Sequence, residues 1–330
     1  MRKLVTGGAI FFGLTLFSAG VPAQSKTDPH AYPARPIRII VANTAGSGMD
    51  NVTRMLGQGI TEQWGQQVVV DNRPGAGGII GHEIAAKAAP DGYTLLFGAS
   101  AGVVIQPLLT KTPYDSARDF TSVSLVVTSI QLLAGHPSLA ALSVEELLAI
   151  ARAKPGQLNC GSSGSNSSNH LACEMLRVLG KVDFVHVPFK GTVPQQMGLV
   201  SGQVQFAFAS IPTTFTQSKV GKVRVLGQGG PTRSRVLPDL PTIAETLPGF
   251  QAVTWYALFA PRGTPPAIVK KLNGAVVKIL SDATLAQRLV SQGLDPAPGT
   301  PAELDTYIAA EHDRFSRIIK LAGMKGDMNR

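Results

Sequence analysis

The residues best suited to chemistry in this sequence lie in segments rich in glycine, serine and asparagine. The first such segment, Asn43–Asp50, reads Asn-Thr-Ala-Gly-Ser-Gly-Met-Asp. Its glycines let a ligand approach the main chain closely, and Asp50 is a candidate N-cap for a following helix. The unpaired N–H groups and partial positive charge of a helix N-terminus bind carboxylates and phosphates. We therefore take five residues of this segment as candidate ligand contacts: Gly46, Ser47, Gly48, Met49 and Asp50.

The flanking segments predict a strand before this loop and a helix after it. Four of the five residues of Ile37–Val41 are apolar, as expected for a strand that is buried on both faces. Apolar residues between Val52 and Trp64 recur on one side of a helix, and Gly65 is placed to end that helix as its C′ residue. The loop therefore joins a buried strand to a helix N-terminus.

Four further loops follow predicted strands, and most of them lead into helices: Asn72–Gly78, Gly98–Gly102, Gly161–His170 and Phe189–Val193. Alternating strands and helices predict parallel sheets with helices on both faces, and such sheets bind ligands at the carboxyl ends of their strands. Each loop alone is equally compatible with an ordinary turn, but their shared position favours a common site. The candidate ligand contacts in these loops are Gly77, Gly78, Ser100, Ser163, Ser165, Asn166, Asn169, His170, Lys190 and Gly191.

The sequence gives little support to a bound cofactor or metal. A P-loop needs a lysine that Asn43–Asp50 lacks. A dinucleotide-binding loop needs a third glycine, and after Gly75-Ala76-Gly77 its position is taken by Ile80. The six histidines are dispersed rather than placed at the spacing of metal ligands. We therefore expect no cofactor and no metal.

One segment matches the motif of a hydrolase nucleophile. Gly98–Gly102 reads Gly-x-Ser-x-Gly after a predicted strand, with Ser100 in the nucleophile position. The motif also needs a helix directly afterwards, and Pro107 leaves room for barely one helical turn. A base for the serine is not evident, since a histidine such as His170 at a helix start more often fixes a loop. The segment favours a binding or turning loop, and a secreted serine hydrolase remains the alternative.

Composition and charge limit the classes of partner. With 330 residues, of which 44% are hydrophobic, the chain is long enough for two domains with their own cores. Its net charge of +9 is spread along the chain without a run of basic residues, so nucleic acid is not an expected partner. A mild positive field attracts anionic solutes. Arg73 and Lys190 are the cationic residues nearest the loops, and either is equally compatible with facing solvent.

The N-terminal residues 1–23 are interpreted as a signal peptide. Arg2 and Lys3 precede the apolar segment Leu4–Gly20, and Val21-Pro22-Ala23 fits a cleavage site. A membrane anchor is the alternative, which the small-residue cleavage site and the interrupting glycines and threonines disfavour. Cleavage removes two positive charges from the +9 of the chain and leaves +7. We therefore expect a periplasmic protein.

The chain contains two cysteines, Cys160 and Cys173. They are compatible with one disulfide in an oxidising compartment. Two separate buried thiols are the alternative, and the sequence does not distinguish the two.

The order of elements predicts two lobes. Residues 24–125 form the first part of lobe 1, residues 126–249 form lobe 2, and residues 250–330 return to lobe 1. The chain is expected to cross between the lobes near residues 124–130 and 227–252. Each lobe is predicted to be a mainly parallel sheet flanked by helices.

Seven segments of the mature chain carry a family resemblance: Tyr32-Pro33-x-x-Pro36-Ile37-Arg38, Gly46-Ser47-Gly48-Met49-Asp50, Val70-Asp71-Asn72-Arg73-Pro74-Gly75-Ala76-Gly77-Gly78, Pro90-Asp91-Gly92-Tyr93-Thr94-Leu95-Leu96, His186-Val187-Pro188-Phe189-Lys190-Gly191, Leu237-Pro238-Asp239-Leu240-Pro241-Thr242 and Trp255-Tyr256-x-Leu258-Phe259-Ala260-Pro261. Together they resemble the substrate-binding receptors of tripartite tricarboxylate transporters, also called Bug receptors. The resemblance covers nearly all of the mature chain.

The resemblance implies a two-lobed periplasmic-binding-protein fold of the α/β class, with the ligand cleft between the lobes. It implies a small organic carboxylate as ligand, membrane transporter subunits as partners, and no catalysis. We expect a monomer. The loops matching Gly46–Asp50 and Ser163–His170 grip the ligand in this family, largely through main-chain groups, hydroxyls and water. A sensor that presents ligand to a membrane kinase has the same fold and remains a further alternative.

The sequence departs from the family pattern at the loops that the resemblance places around the ligand. Asn43-Thr44-Ala45 replaces an aromatic or proline-rich run, and Met49 stands where a small residue is common. Phe189 replaces a tyrosine, Asn169 stands where Ser or Thr is frequent, and Ser210, a further candidate ligand contact, stands where Asp is often found. These departures leave the receptor role intact but prevent a prediction of the ligand's identity.

Overall fold

The computed structural model of the chain describes residues 32–234 and 236–324, apart from the side chains of residues 212 and 213. The predicted signal peptide lies outside the described residues. Within those residues, none of the helices has both the length and the apolar character needed to cross a lipid bilayer.

The described chain alternates strands and helices as the sequence predicts. The strands are β1 Ile37–Val41, β2 Val68–Asn72, β3 Thr94–Ala99, β4 Phe120–Gly135, β5 Asn159–Ser162, β6 Val185–Pro188, β7 Phe206–Ser210, β8 Arg224–Gln228, β9 Val253–Pro261 and β10 Asp295–Pro296. The helices are α1 Gly48–Trp64, α2 Ile79–Ala86, α3 Gln106–Leu109, α4 Ser116–Asp119, α5 Val144–Ala153, α6 Ser168–Gly180, α7 Thr192–Val200, α8 Ile211–Lys219, α9 Ile243–Thr246, α10 Pro266–Leu280, α11 Ala283–Ser291 and α12 Pro301–Leu321. A 3-10 turn, Ala76–Gly78, precedes α2, and a π-helical turn, Ala101–Ile105, precedes α3.

One curled sheet runs through the molecule in the order β2-β1-β3-β9-β4-β7-β5-β6, and β8 and β10 also pair with β4. In the first lobe β1 lies parallel to β2 and β3, and in the second lobe β5 lies parallel to β6 and β7. The shared strands β4 and β9 run antiparallel to their neighbours. The fold is therefore α/β with a parallel group of three strands in each lobe, joined by antiparallel strands.

Strand β4 belongs to both lobes. Its residue Ile130 pairs with Val253 of β9, and the next residue, Gln131, pairs with Ser210 of β7. The sequence predicts a strand over Val123–Val127. The strand instead runs from Phe120 to Gly135, 16 residues in all, since pairing on both sides satisfies its main-chain groups.

The pairing register sets the ends of the two parallel groups face to face. Ala99 ends β3 opposite Tyr256 of β9, which pairs in turn with Val127 of β4. Ser210 ends β7 opposite Gln131, four residues further along β4. Because a strand rises about 3.3 Å per residue, roughly 13 Å of β4 separates the two positions. Since β3 runs in the direction of β4 and β7 runs against it, both groups direct their carboxyl ends towards the same cleft.

Helix α12 contacts both lobes. Near its start Ser122 Oγ in β4 donates a hydrogen bond to Asp305 Oδ1 at 2.6 Å. Just past its end Arg177 Nη2 in α6 donates to the carbonyl oxygen of Ala322 at 3.0 Å. Its Phe315 and Ile318 are buried in the same apolar cluster as residues of both lobes. The returning chain, predicted to belong to lobe 1, therefore also braces the second lobe.

Candidate functional site

The first cleft loop is fixed by the start of α1. Ser47 is the N-cap, and its Oγ accepts a hydrogen bond from the N–H of Asp50 at 3.2 Å. The prediction that Asp50 is the N-cap was wrong, because the helix begins at Gly48, three residues earlier than a cap at Asp50 requires. Asp50 lies in the first turn, and its Oδ2 accepts from the N–H of Gly46 at 2.8 Å. Ser47 and Asp50 together therefore close the loop.

Two of the predicted contacts in this loop face away from the cleft. Met49 and Asp50 are both 2% exposed, and Met49 packs into the core of the first lobe. Burial raises the pKa of Asp50, but hydrogen bonds from Gly46 and Arg54 outweigh this effect and the pKa is lowered. Both residues hold the loop, and only their main-chain groups remain as candidate ligand contacts.

The main-chain N–H groups of Gly48 and Met49 are the donors that this loop offers. Neither has an acceptor among the described residues, as expected for the first turn of a helix. Gly48 is exposed to the cleft. A carbon atom in the Cβ position of Gly48 would have one neighbour outside its own segment within 4 Å, the hydroxyl oxygen of Tyr256 at 3.9 Å. The space beside Gly48 therefore lies between the main-chain N–H groups of this loop and the hydroxyl group of Tyr256.

Tyr256 is a candidate contact that the sequence analysis missed. It stands on β9 opposite the end of β3, and its ring packs at 6.0 Å from that of Phe97. Burial raises the pKa of its hydroxyl, so this group stays protonated and donates at neutral pH. The sequence places Tyr256 in an apolar strand and in one of the seven family segments but does not direct it to the cleft. Its place there follows from the pairing of β9 with β3.

The loop after β2 follows an unusual backbone path. Residues 75 to 78 all have positive φ values, and Ala76 among them has φ 48°. Gly77 is exposed, and any side chain there would collide with the amide of Gln106, which would lie 2.2 Å away. Gly78 is buried. The loop therefore brings Gly77 to the surface, while Gly78 supports it from inside.

Ser100 does not face the cleft. Its side chain is fully buried, and its Oγ has no hydrogen-bond partner among the described residues. A helix does follow it directly, as the π-helical turn continuing into α3, so the predicted obstruction by Pro107 was wrong. Pro107 is tolerated there because it lies in the first turn of α3. A buried serine without a bonded base gives the hydrolase alternative no support.

In the second lobe, the loop between β5 and α6 is held by its own side chains. Ser167 is the N-cap of α6, and its Oγ accepts from the N–H of His170 at 3.2 Å. Nδ1 of His170 in turn accepts from the N–H of Asn166 at 3.0 Å, where the backbone has φ 61°. His170 therefore fixes the loop, and Ser165 is its exposed residue.

Asn169, predicted to contact the ligand, has its amide bonded to the protein. Its Oδ1 accepts from Ser163 Oγ at 2.7 Å. Its Nδ2 donates to the carbonyl oxygen of Phe208 at 2.7 Å and to Gln131 Oε1 at 3.2 Å. The side chain is 8% exposed. In this structure Asn169 positions Ser163, and a direct contact of Asn169 with a ligand stays a prediction.

The remaining candidates lie on the next two loops of the second lobe. Gly191 has φ 111°, and its N–H donates to the carbonyl oxygen of Ser163 at 3.0 Å, which joins the two loops. Lys190 is exposed, and its ammonium has no ion pair within the described part of the chain. Ser210 is exposed at the start of α8. Arg73, by contrast, is paired with Asp71 at 2.9 Å, so Lys190 is the cation better placed to meet a ligand.

Two imidazole rings stack behind the loop between β5 and α6. The rings of His170 and His186 lie 3.8 Å apart, and Nε2 of His186 is 2.6 Å from Ser162 Oγ. Since that hydroxyl donates to the carbonyl oxygen of Gly164, the His186 ring donates to it. Burial lowers the pKa of both histidines to about 4, with added repulsion from Arg177 on His170 and from His170 on His186. At neutral pH both rings are therefore uncharged.

These histidines make the folding stability depend on pH. An unfolded histidine binds a proton near pH 6.5, whereas His170, His186 and the fully buried His82 do so near pH 4 in the folded chain. The unfolded state therefore binds more protons between these values, and the free energy of unfolding falls as the pH is lowered from 6.5. His82 alone gives a loss of about 2 kcal/mol by pH 5.

Urea unfolding between pH 7 and pH 5 measures this loss. A free energy of unfolding that stays constant over this range would contradict the prediction.

Cys160 of β5 and Cys173 of α6 form a disulfide in the structure, with their Cα atoms 6.3 Å apart. Both residues are fully buried. The bond ties the strand before the Ser163–His170 loop to the helix after it.

Comparisons with known proteins agree with this architecture. The model of the tripartite tricarboxylate transporter family receptor matches residues 52–324. Protein BugT of Bordetella pertussis is 33% identical over 316 residues, which cover 95% of this chain and 96% of the relative. A Rhodopseudomonas palustris protein solved with adipate has a TM-score of 0.82 at 33% identity, over 88% of this chain and 98% of its own.

A second solved structure extends the comparison. MatC from Rhodopseudomonas palustris with bound malate has a TM-score of 0.78 at 33% identity, over 87% of this chain and its whole length, 100%. The family match covers most of the chain, and the identities hold over nearly all of each relative. The chain therefore belongs to the receptor family of the tripartite tricarboxylate transporters.

Proposed function

We propose that this receptor binds a small organic carboxylate between its two lobes and delivers it to a membrane transporter of the tripartite tricarboxylate type. The facing loops carry the proposal. One lobe offers the N–H groups of Gly48 and Met49 together with the Tyr256 hydroxyl, and the other offers Ser165, Lys190 and Ser210 on exposed loops.

The N–H and hydroxyl donors of these loops are sufficient to bind an anion without an arginine side chain paired to it. A hydrogen bond to a charged acceptor contributes roughly 1.5–3 kcal/mol, so four or five of them hold a small carboxylate. Lys190 adds a positive charge from the second lobe. The related structures with adipate and malate support a carboxylate as the ligand class and supply the first probes.

We place the mature protein in the periplasm after removal of residues 1–23. The buried disulfide supports this location, because such bonds persist in oxidising compartments. A binding role without catalysis fits loops whose serines are bonded to the protein or lie exposed away from a base. We expect the receptor to act as a monomer. Residues 24–125 and 250–330 are assigned to lobe 1 and residues 126–249 to lobe 2.

Ligand binding is proposed to close the lobes about the segments that join them. Strand β4 changes partners between Ile130 and Gln131, at the end of the predicted crossing over residues 124–130. The return crossing is bonded to it, since the N–H of Gly229 donates to the Gln131 carbonyl oxygen at 2.8 Å. A ligand that touches both lobes makes more contacts when they are closed, so its differential affinity favours the closed state.

A thermal-shift screen of small carboxylates, with adipate and malate first, tests the proposed function. Binding should raise the melting temperature, and X-ray scattering at saturating ligand should show a smaller radius of gyration. Incubation with an ester panel should give no turnover. A melting temperature that no carboxylate raises would contradict the ligand class, and an unchanged scattering profile with a bound ligand would contradict closure.

A further inference from the structure

A line of side-chain hydrogen bonds connects the Ser163–His170 loop of the second lobe to strand β9, which lies where the two lobes meet. Ser163 Oγ donates to Asn169 Oδ1 at 2.7 Å, and Asn169 Nδ2 donates to Gln131 Oε1 at 3.2 Å. Gln131 Nε2 then donates to Thr254 Oγ1 at 3.1 Å. Gln131 is thus the link between the loop and β9.

One carbonyl group fixes the direction of every bond in this line. The main-chain oxygen of Phe208 only accepts, so the atom of Asn169 at 2.7 Å from it must be the amide nitrogen. The same nitrogen faces Gln131, which must present its oxygen there and its nitrogen to Thr254. The orientation of the Gln131 amide therefore follows from the loop.

The main chain of Gln131 lies where the crossing segments meet. Its N–H donates to the carbonyl oxygen of Ala252 at 2.9 Å, and its own carbonyl oxygen accepts from Gly229 at 2.8 Å. The N–H of Ala252 donates to the carbonyl oxygen of Gly229 at 2.8 Å. Gln131 is also the first residue of β4 that pairs with the second lobe, and its side chain is 5% exposed. It therefore sits at the pivot of any movement between the lobes.

We propose that Gln131 is a positioning residue that couples the shape of the Ser163–His170 loop to the angle between the lobes. Its two side-chain partners, Asn169 and Thr254, lie on opposite sides of the pivot. Because hydrogen bonds weaken steeply when their distance and angle change, both bonds are kept only over a narrow range of lobe angles. This inference rests on the proposed function, since the loop is the one proposed to bind the carboxylate.

Thr254→Val tests the coupling with the smallest change, because it removes one hydroxyl in β9 and leaves the loop untouched. We expect hydrogen exchange at the loop N–H groups of residues 163–167 to become about tenfold faster without ligand. The affinity for adipate or malate should fall by a similar factor. Thr128→Val is the matched control, since its hydroxyl makes none of the hydrogen bonds found within the described residues.

Gln131→Met removes both bonds at nearly constant volume and should reproduce these effects. The double variant Gln131→Met with Thr254→Val should change exchange and affinity no further than Gln131→Met alone, because both act on one line of bonds. Additive effects, or an unchanged exchange rate in the loop of Thr254→Val, would overturn the coupling.

Hydrogen exchange of the ligand-free protein tests the coupling independently of the proposed ligand. If neither adipate nor malate binds the parent protein, that part of the proposed function fails, and the ligand-free exchange rates still decide the coupling. If Gln131→Met does not fold, Thr254→Val alone decides it.

Discussion

Replacing Gly48 by Val is expected to weaken carboxylate binding by about a hundredfold or more. Gly48 is exposed in the cleft, and a Cβ atom there would lie 3.9 Å from the Tyr256 hydroxyl oxygen. The additional methyl groups of Val fill the space where a carboxylate would meet the Gly48 and Met49 N–H groups. Losing two hydrogen bonds to a charged acceptor costs about 3 kcal/mol or more, which corresponds to at least roughly two decades in Kd. Isothermal titration with the ligand found by the thermal-shift screen measures the loss.

The fold should survive this substitution. Gly48 does not have the positive φ that strains other residues, and outside its own segment its Cβ position meets no atom closer than 3.9 Å. Gly48→Ala should lie between the parent and Gly48→Val in affinity. Gly274→Val is the matched control, because this exposed glycine of α10 also has free space around its Cβ position. A folded Gly48→Val protein that binds as tightly as the parent would show that the carboxylate lies elsewhere.

The elements that could be predicted are those encoded in short segments. The sequence predicts a helix over Ala283–Ser291, and α11 has these bounds. Gly65 ends α1 in the left-handed conformation, as predicted. The segment Thr300-Pro301-Ala302-Glu303 predicts a capping box, and this box forms at the start of α12. In each case the signal lies within a few residues, where local hydrogen bonds and side-chain periodicity determine the structure.

The features that escaped prediction depend on partners far away in the sequence. Strand β4 is extended past Val127 by pairing with β7, β8 and β9. Helix α8 was missed because its first residues, Ile-Pro-Thr-Thr, favour a helix weakly. Tyr256 entered the site only through the register of β9 with β3. No single segment of the sequence contains this information.

The sequence also did not predict whether a polar side chain in a loop faces the cleft or the interior of the protein. Polar residues in the cleft loops were expected to face a ligand, yet Asp50, Ser100 and Asn169 are buried. Tight loops leave main-chain groups without partners, and short polar side chains are the groups that reach them. The residue types therefore predict the loops correctly, but they do not separate the side chains that bind a ligand from those that hold the loop.

Removing the disulfide is expected to lower the free energy of unfolding by about 3 kcal/mol. The chain-entropy cost of closing a loop of this length is of that size, and the bond between Cys160 and Cys173 closes a loop with a sequence separation of 13. Alanine is the replacement of choice, since a serine hydroxyl in these fully buried positions would add the cost of an unsatisfied polar group. Urea unfolding of Cys160→Ala with Cys173→Ala, compared with the parent, measures the difference.

The same variant should also bind its carboxylate several-fold more weakly. Both ends of the Ser163–His170 loop are anchored by the bond, one through β5 and the other through α6. Without it, the loop has more conformations to lose when the ligand binds, and that entropy is subtracted from the affinity. Urea unfolding of the parent with a thiol reductant, which reaches the buried bond once the chain is open, should reproduce the loss of stability. The alanine variant is the control that the reductant should not change. Two thiols that are alkylated in the natively purified parent would show that the bond is absent, and the loop would then be ordered by the hydrogen bonds of Ser167, Asn169 and His170 alone.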